Sequence, residues 1–168
     1  MEHEKKVILL AGPTASGKSL LAIKLAHHFN SEIINADSMQ IYKEISILTS
    51  KPNLQDTKII KHHLYGFNSV TQKFSTGHWI KVVINKIKKQ WDNGKTPIIV
   101  GGTGLYFKAL TDGLVQIPEI PSNLKKEIRK LHKKKGQKFF FRQLIKLDPL
   151  SIKFILPTDS QRSMRAYE

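Results

Sequence analysis

The chain has 168 residues, 40% of them hydrophobic, and sets 28 Lys and Arg against 13 Asp and Glu, a net charge of +15. This size and apolar content suit a folded core and exclude a disordered chain, and no apolar run approaches the roughly eighteen residues of a membrane span. Cysteine is absent, which excludes disulfides and thiolate metal sites and fits a reducing cytoplasm.

In chain order, MEHEKKVILLAGPT passes from charged residues straight into an apolar run without a small-residue cleavage site, so no signal peptide is read. Residues 6–11, KVILLA, have the length and composition of a buried parallel strand bounded by Gly-Pro. LLAIKLAHHF at 20–29 has helical length and spacing, and SEIINA at 31–36 is a second strand. The stretch 40–74 is less regular, with turn chemistry in KPN at 51–53. Ser75 or Thr76 can cap a helix whose apolar positions are Ile80, Val83, Ile84, Ile87 and Trp91. Asp92-Asn93-Gly94 ends it, and PIIV at 97–100 is a third strand leading into GGTG. This alternation predicts an α/β fold: a P-loop NTPase-like parallel sheet flanked by helices.

After Gly113 the texture changes. IPEIPSN is punctuated by proline, and the boundary falls near 114–121, giving an α/β core at 1–113 and a helical basic unit at 114–168. Leu124, Ile128 and Leu131 share one helical face, FFFRQLIKL at 139–147 offers another, and Asp148-Pro149 is a helix start. Residues 122–146 hold ten cations against one acid, Glu127, a density that suits a phosphate backbone.

Gly12-Pro13-Thr14-Ala15-Ser16-Gly17-Lys18-Ser19 satisfies the phosphate-loop pattern and lies between a predicted strand and a predicted helix, the context that pattern needs. Its backbone amides and the helix start would cradle phosphate oxygens, Lys18 would add a full charge, and the Ser19 hydroxyl could complete a Mg²⁺ shell. The loop predicts binding of a di- or triphosphate, ATP or another nucleotide included, without saying which bond breaks. A nucleotide kinase would place an acid after a later strand and cluster arginines at the phosphoryl group. Here PIIVGGTG offers no acid and no arginine precedes Arg129.

With GPTASGKS (12–19), ADSMQIYK (36–43), SKPN (50–53), VGGTGLYFKAL (100–110) and DSQRSMRA (159–166) in view, the chain resembles the bacterial tRNA dimethylallyltransferases. The resemblance implies transfer of a dimethylallyl group from dimethylallyl diphosphate to the exocyclic amine of the adenine beside the anticodon of a tRNA. The phosphate loop would hold the donor diphosphate with Mg²⁺, and the enzyme would act as a cytoplasmic monomer with the tRNA anticodon stem-loop as partner and no membrane. Lys18, Asp37 and Thr103 would be catalytic. Asp37 would accept the amine proton from the end of a strand beside the loop strand; the other reading of Asp37 is a helix or turn cap with Ser38. Thr103 would bond the diphosphate or the target nucleotide, and an N-cap role is compatible with that. Ser38, Met39 and Gln40 match positions that line the extruded adenine. Gln161, Arg162, Ser163, Met164 and Arg165 match the element that contacts the anticodon loop, and Lys125 falls where a basic residue approaches the RNA backbone. Tyr106 and Phe107 read as core, and His62 and His63 match a family turn rather than a metal site.

The sequence reaches Glu168 a little past half the length expected of that family. By analogy the sheet is expected to be incomplete on its C-terminal side, with exposed apolar surface, marginal stability and weak or no activity. Two competing readings are a small P-loop kinase and a non-catalytic RNA-binding remnant.

Overall fold

The computed structural model describes residues 5–115 and 119–168, so part of the proline-punctuated boundary, 116–118, lies outside the described residues, as do 1–4. The chain divides into two compact units, Met1–Val115 and Gln116–Glu168.

The first unit is built on a parallel four-stranded sheet. β1 (Ile8–Ala11), β2 (Ile33–Asn35), β3 (His62–His63) and β4 (Ile98–Gly101) lie in the order β1-β4-β2-β3. Connecting them are α1 (Lys18–His28), α2 (Leu54–Ile59) and α3 (Thr76–Asp92), and α4 (Gly104–Thr111) follows β4. Register alternation sorts the strand side chains between two faces. Ile33, Ile98 and Val100 pack with Ala22 and Ala26 of α1, whereas Ile34 and Ile99 pack with Trp79, Val83 and Ile87 of α3 and Tyr106 of α4. Burial on both faces explains why β2 and β4 read as continuous apolar runs rather than alternating ones. β1 and β3 are the edges of the sheet among the described residues, and Leu9 on β1 is 40% exposed.

Three local outcomes differ from the sequence reading. The stretch 40–74 contains α2, whose start is fixed by a reciprocal capping box between Asn53 and Asp56. His62 and His63 form a strand rather than a turn, because they pair with Ile33 and Ile34 of β2. In α3, Ser75 is the cap, accepting from the His78 amide, and Trp79 rather than Ile84 anchors the buried face. Tyr106 is core as expected: it stacks on Trp79 at 4.2 Å, and burial, with the Tyr42 and Asp37 charges adding, pushes its phenol up to about 12.

The second unit comprises α5 (Ser122–Lys135), α6 (Gln137–Leu147) and α7 (Ser160–Tyr167). Ile128, Phe140 and Leu144 form its buried apolar residues. Asp148 caps a short 3₁₀ turn at Pro149–Lys153 by accepting from the Leu150 amide, as the Asp-Pro pair predicts. Among the described residues no helix is long and apolar enough to cross a membrane.

Candidate active site

The phosphate loop joins β1 to α1. Gly17 at its end takes φ 78° and Ala15 takes φ 61°, both in the left-handed region that lets successive amides turn toward one concavity. Lys18 opens α1 and folds back, its ammonium donating to the Pro13 carbonyl and, at 3.3 Å, to Ser16 Oγ. The cation is thereby held at the loop.

A cavity of about 810 Å³ opens over this loop. Thr14, Ala15, Ser16, Gly17, Lys18 and Ser19 form one side, and Asp37, Met39, Gln40 and Tyr65 another. Asp37 follows β2, which is not beside β1: β4 stands between them. The sequence reading of adjacent strands is corrected on this point, and the glycines after β4 explain why carboxylate and loop still meet. A Cβ on Gly102 would sit 3.4 Å from the Gly12 carbonyl oxygen and 3.8 Å from Asp37 Oδ2. A strand end without side chains leaves one narrow gap across which the two sides face each other.

Asp37 is held from several directions. Its backbone amide donates to Asn35 Oδ1 at 2.9 Å, and its carbonyl accepts from Asn35 Nδ2 at 2.9 Å. Asn35 is fully buried and is itself tied to the Leu64 carbonyl and, through its own carbonyl, to Trp79 Nε1. Asp37 Oδ1 accepts from the Met39 amide at 2.9 Å, the turn-cap role weighed above, while Oδ2 has no hydrogen-bond partner among the described residues. One oxygen therefore maintains the turn and the other is available.

Thr103 occupies the N-cap position of α4, its carbonyl accepting from the Tyr106 amide, but its side chain makes no capping bond. Its hydroxyl oxygen accepts from the Ser38 amide at 2.8 Å and donates to Ser38 Oγ at 3.2 Å, joining the turn after β4 to the turn after β2. Gln40 donates to the Thr49 and Ser50 carbonyls, fixing a segment whose Ile45 and Leu48 add an apolar wall. Tyr65 is one of the cavity residues that sequence reasoning missed, with Leu20, Ile45 and Leu48 among the others. Burial, then the Asp37 charge, pushes the Tyr65 phenol upward, so it stays a neutral hydroxyl. No local pattern marks Tyr65, and Asn35 is anchored by Leu64 and Trp79, both far away in sequence, as well as bonding Asp37.

The remaining expected residues lie in the second unit, Lys125 on α5 and the others on α7. Arg162 and Arg165 are 72% and 51% exposed, each near one acid of its own helix end, Asp159 and Glu168. Ser163 differs from them: it is fully buried, accepting from Gln137 Nε2 and donating to the Asp159 carbonyl. Helical geometry accounts for this, because positions 162 and 165 share a face that 163 does not. Ser163 fastens α7 to α6, whereas Gln161 is exposed and Met164 is half-buried.

The family model described as IPP transferase matches residues 40–168. The chain belongs to the IPP transferase family. It is 54% identical over 168 residues to the tRNA dimethylallyltransferase of Pelagibacter ubique (strain HTCC1062), covering 100% of this chain and 54% of that protein. The tRNA dimethylallyltransferase of Rickettsia massiliae (strain Mtu5) is 48% identical over 165 residues, 98% of this chain and 46% of that one. Among solved structures, a eukaryotic dimethylallyltransferase acting on tRNA superposes with a TM-score of 0.82 at 34% identity, covering 96% of this chain and 40% of its own. The full-length tRNA isopentenylpyrophosphate transferase from Bacillus halodurans gives 0.65 at 29%, covering 98% and 55%. The chain thus spans about half the length of the curated relatives it matches. Its parallel sheet flanked by helices is the P-loop-like fold of these transferases.

Proposed function

We propose that this IPP transferase chain serves the transfer of a dimethylallyl group from dimethylallyl diphosphate to the exocyclic amine of the adenine beside the anticodon in tRNA. The observation that carries the reading is one cavity shared by the phosphate loop and Asp37. In this reaction the bond between the allylic carbon and the diphosphate oxygen breaks, and its electron pair leaves with the diphosphate. The amine lone pair forms the new carbon–nitrogen bond, and Asp37 Oδ2 takes the displaced proton. Lys18 and the loop amides neutralise the departing charge, a contribution that grows as water is excluded. The Ser19 hydroxyl is a hard oxygen donor of the kind Mg²⁺ prefers, and it lines the cavity; bound there, the ion would add further charge neutralisation. Leu20, Ile45 and Leu48 supply the apolar surroundings that a prenyl tail needs beside an anionic head. Tyr65 keeps a neutral donor close to the base.

The exposed arginines of α7 and the cations of α5 support RNA contact, and the names of the relatives support tRNA as the acceptor. The test is incubation of the protein with undermodified tRNA, Mg²⁺ and radiolabelled dimethylallyl diphosphate, with ATP in a parallel sample. Label in the RNA is the expected result. Phosphate release from ATP without labelled RNA would move the assignment to a P-loop kinase.

A further inference from the structure

β2 separates Asp37 from a second polar hollow at the other end of the strand. This cavity, of about 210 Å³, lies where Glu32 precedes β2, Lys61 and His63 come from β3 and its approach, and Lys86, Lys89 and Gln90 occupy one face of α3. Glu32 is already matched: Oε1 accepts from Lys95 at 2.8 Å and Oε2 from His63 Nε2 at 2.6 Å. Lys61, Lys86 and Lys89 have no ion pair among the described residues, so the hollow carries uncompensated positive charge.

Gln90 supplies a second, independent observation. It is only 3% exposed, and its Oε1 accepts from the Glu32 backbone amide at 3.3 Å and lies 3.3 Å from Ser31 Oγ, whose one proton is shared with the Thr96 carbonyl. The backbone donor fixes which end of the amide is oxygen. Nε2 is left as a buried donor without a partner among the described residues, on a side chain that lines the cavity. Buried donors are rarely left unmatched, and one beside three free ammoniums asks for an acceptor that is also an anion.

We propose that this hollow is an oxyanion site that takes one phosphate group, with Gln90 Nε2 donating to an oxygen and Lys61, Lys86 and Lys89 supplying the charge. It is separate from the prenyl-transfer reading and does not depend on it. The same chemistry is offered by free inorganic phosphate and by a backbone phosphate of RNA. The test uses the full chain in a Lys18→Ala background, which removes the phosphate-loop cation, titrated by calorimetry with inorganic phosphate and separately with a short single-stranded oligoribonucleotide. Side-chain amide signals of Gln90 are followed by nitrogen-15 NMR in both arms. The expected result is a shift of the Gln90 signals and at least about a tenfold loss of affinity in Lys86→Gln/Lys89→Gln in one arm or both. The arm that responds identifies the source of the phosphate. Gln90 signals that stay fixed in both arms, or affinities that the lysine substitutions leave unchanged in both, overturn the proposal. Lys89 is exposed and Lys86 half-buried, and neither side chain makes a hydrogen bond or ion pair among the described residues, so their replacement removes charge without breaking a contact of that kind.

Discussion

Asp37 uses its two carboxylate oxygens differently, and this asymmetry sets what its amide variant will do. In Asp37→Asn the amide oxygen can keep the Met39 bond, leaving an NH₂ where Oδ2 now stands. The turn survives while a proton acceptor is replaced by a donor. Single-turnover transfer should fall about 10²–10⁴-fold, the ordinary range for a lost general base, with tRNA affinity by filter binding nearly unchanged. Undiminished transfer would remove Asp37 from the chemistry. The phosphate loop and Asp37 were legible in the sequence because each belongs to a short contiguous motif. Asn35 was not, since its partner carbonyl on Leu64 lies 29 residues away, and the role of Tyr65 likewise exists only once the chain is folded.

Among the elements, β2 and β4 approach so closely that no side chain fits at Gly101. A Cβ there would lie 2.1 Å from the Ala36 carbonyl oxygen, whereas one on Gly104 would meet nothing within 4 Å. Gly101→Ala should therefore destabilise the first unit by about 3 kcal/mol or more, and Gly104→Ala should be nearly neutral, both read from urea midpoints. The Glu32–His63–Lys95 cluster joins β2, β3 and the approach to β4, and it responds to acid. Burial alone would raise the Glu32 carboxyl, but hydrogen bonds from Lys95 and His63 outweigh it and bring the value down to about 2 from 4.5. His63 is also pushed below 6.5, chiefly by burial, with Glu32 opposing. Both groups bind protons more readily unfolded, so stability is full above neutral pH, begins to fall as His63 charges below 6.5, and falls further from about 4.5 toward 2. Denaturant midpoints measured against pH should show this decline, and Glu32→Gln should flatten its acid limb. The sheet's order was less legible than its strands. Apolar runs announce β1, β2 and β4, but β3 is two residues with no period of their own, a strand only because β2 pairs with it.

On the scale of the whole molecule, charge and exposed apolar surface dominate. Ten cations between 122 and 146 face one acid, so RNA affinity should drop by about 100-fold or more between about 50 and about 200 mM salt. A flat salt response would assign that charge to solubility alone. Large apolar side chains are open in both units, Ile47 at 94% and Phe154 at 76%, the exposed apolar surface that was expected. β1 adds to this in a specific way. Every second amide along Ile8–Ala11 points off the sheet, so the loop that should grip a diphosphate hangs from a strand bonded on one side only among the described residues. Deuterium uptake should begin early along such a strand, and any pyrophosphoryl compound that seats in the loop should slow it. Donor recognition can then be followed by peptide mass alone, before any RNA is added.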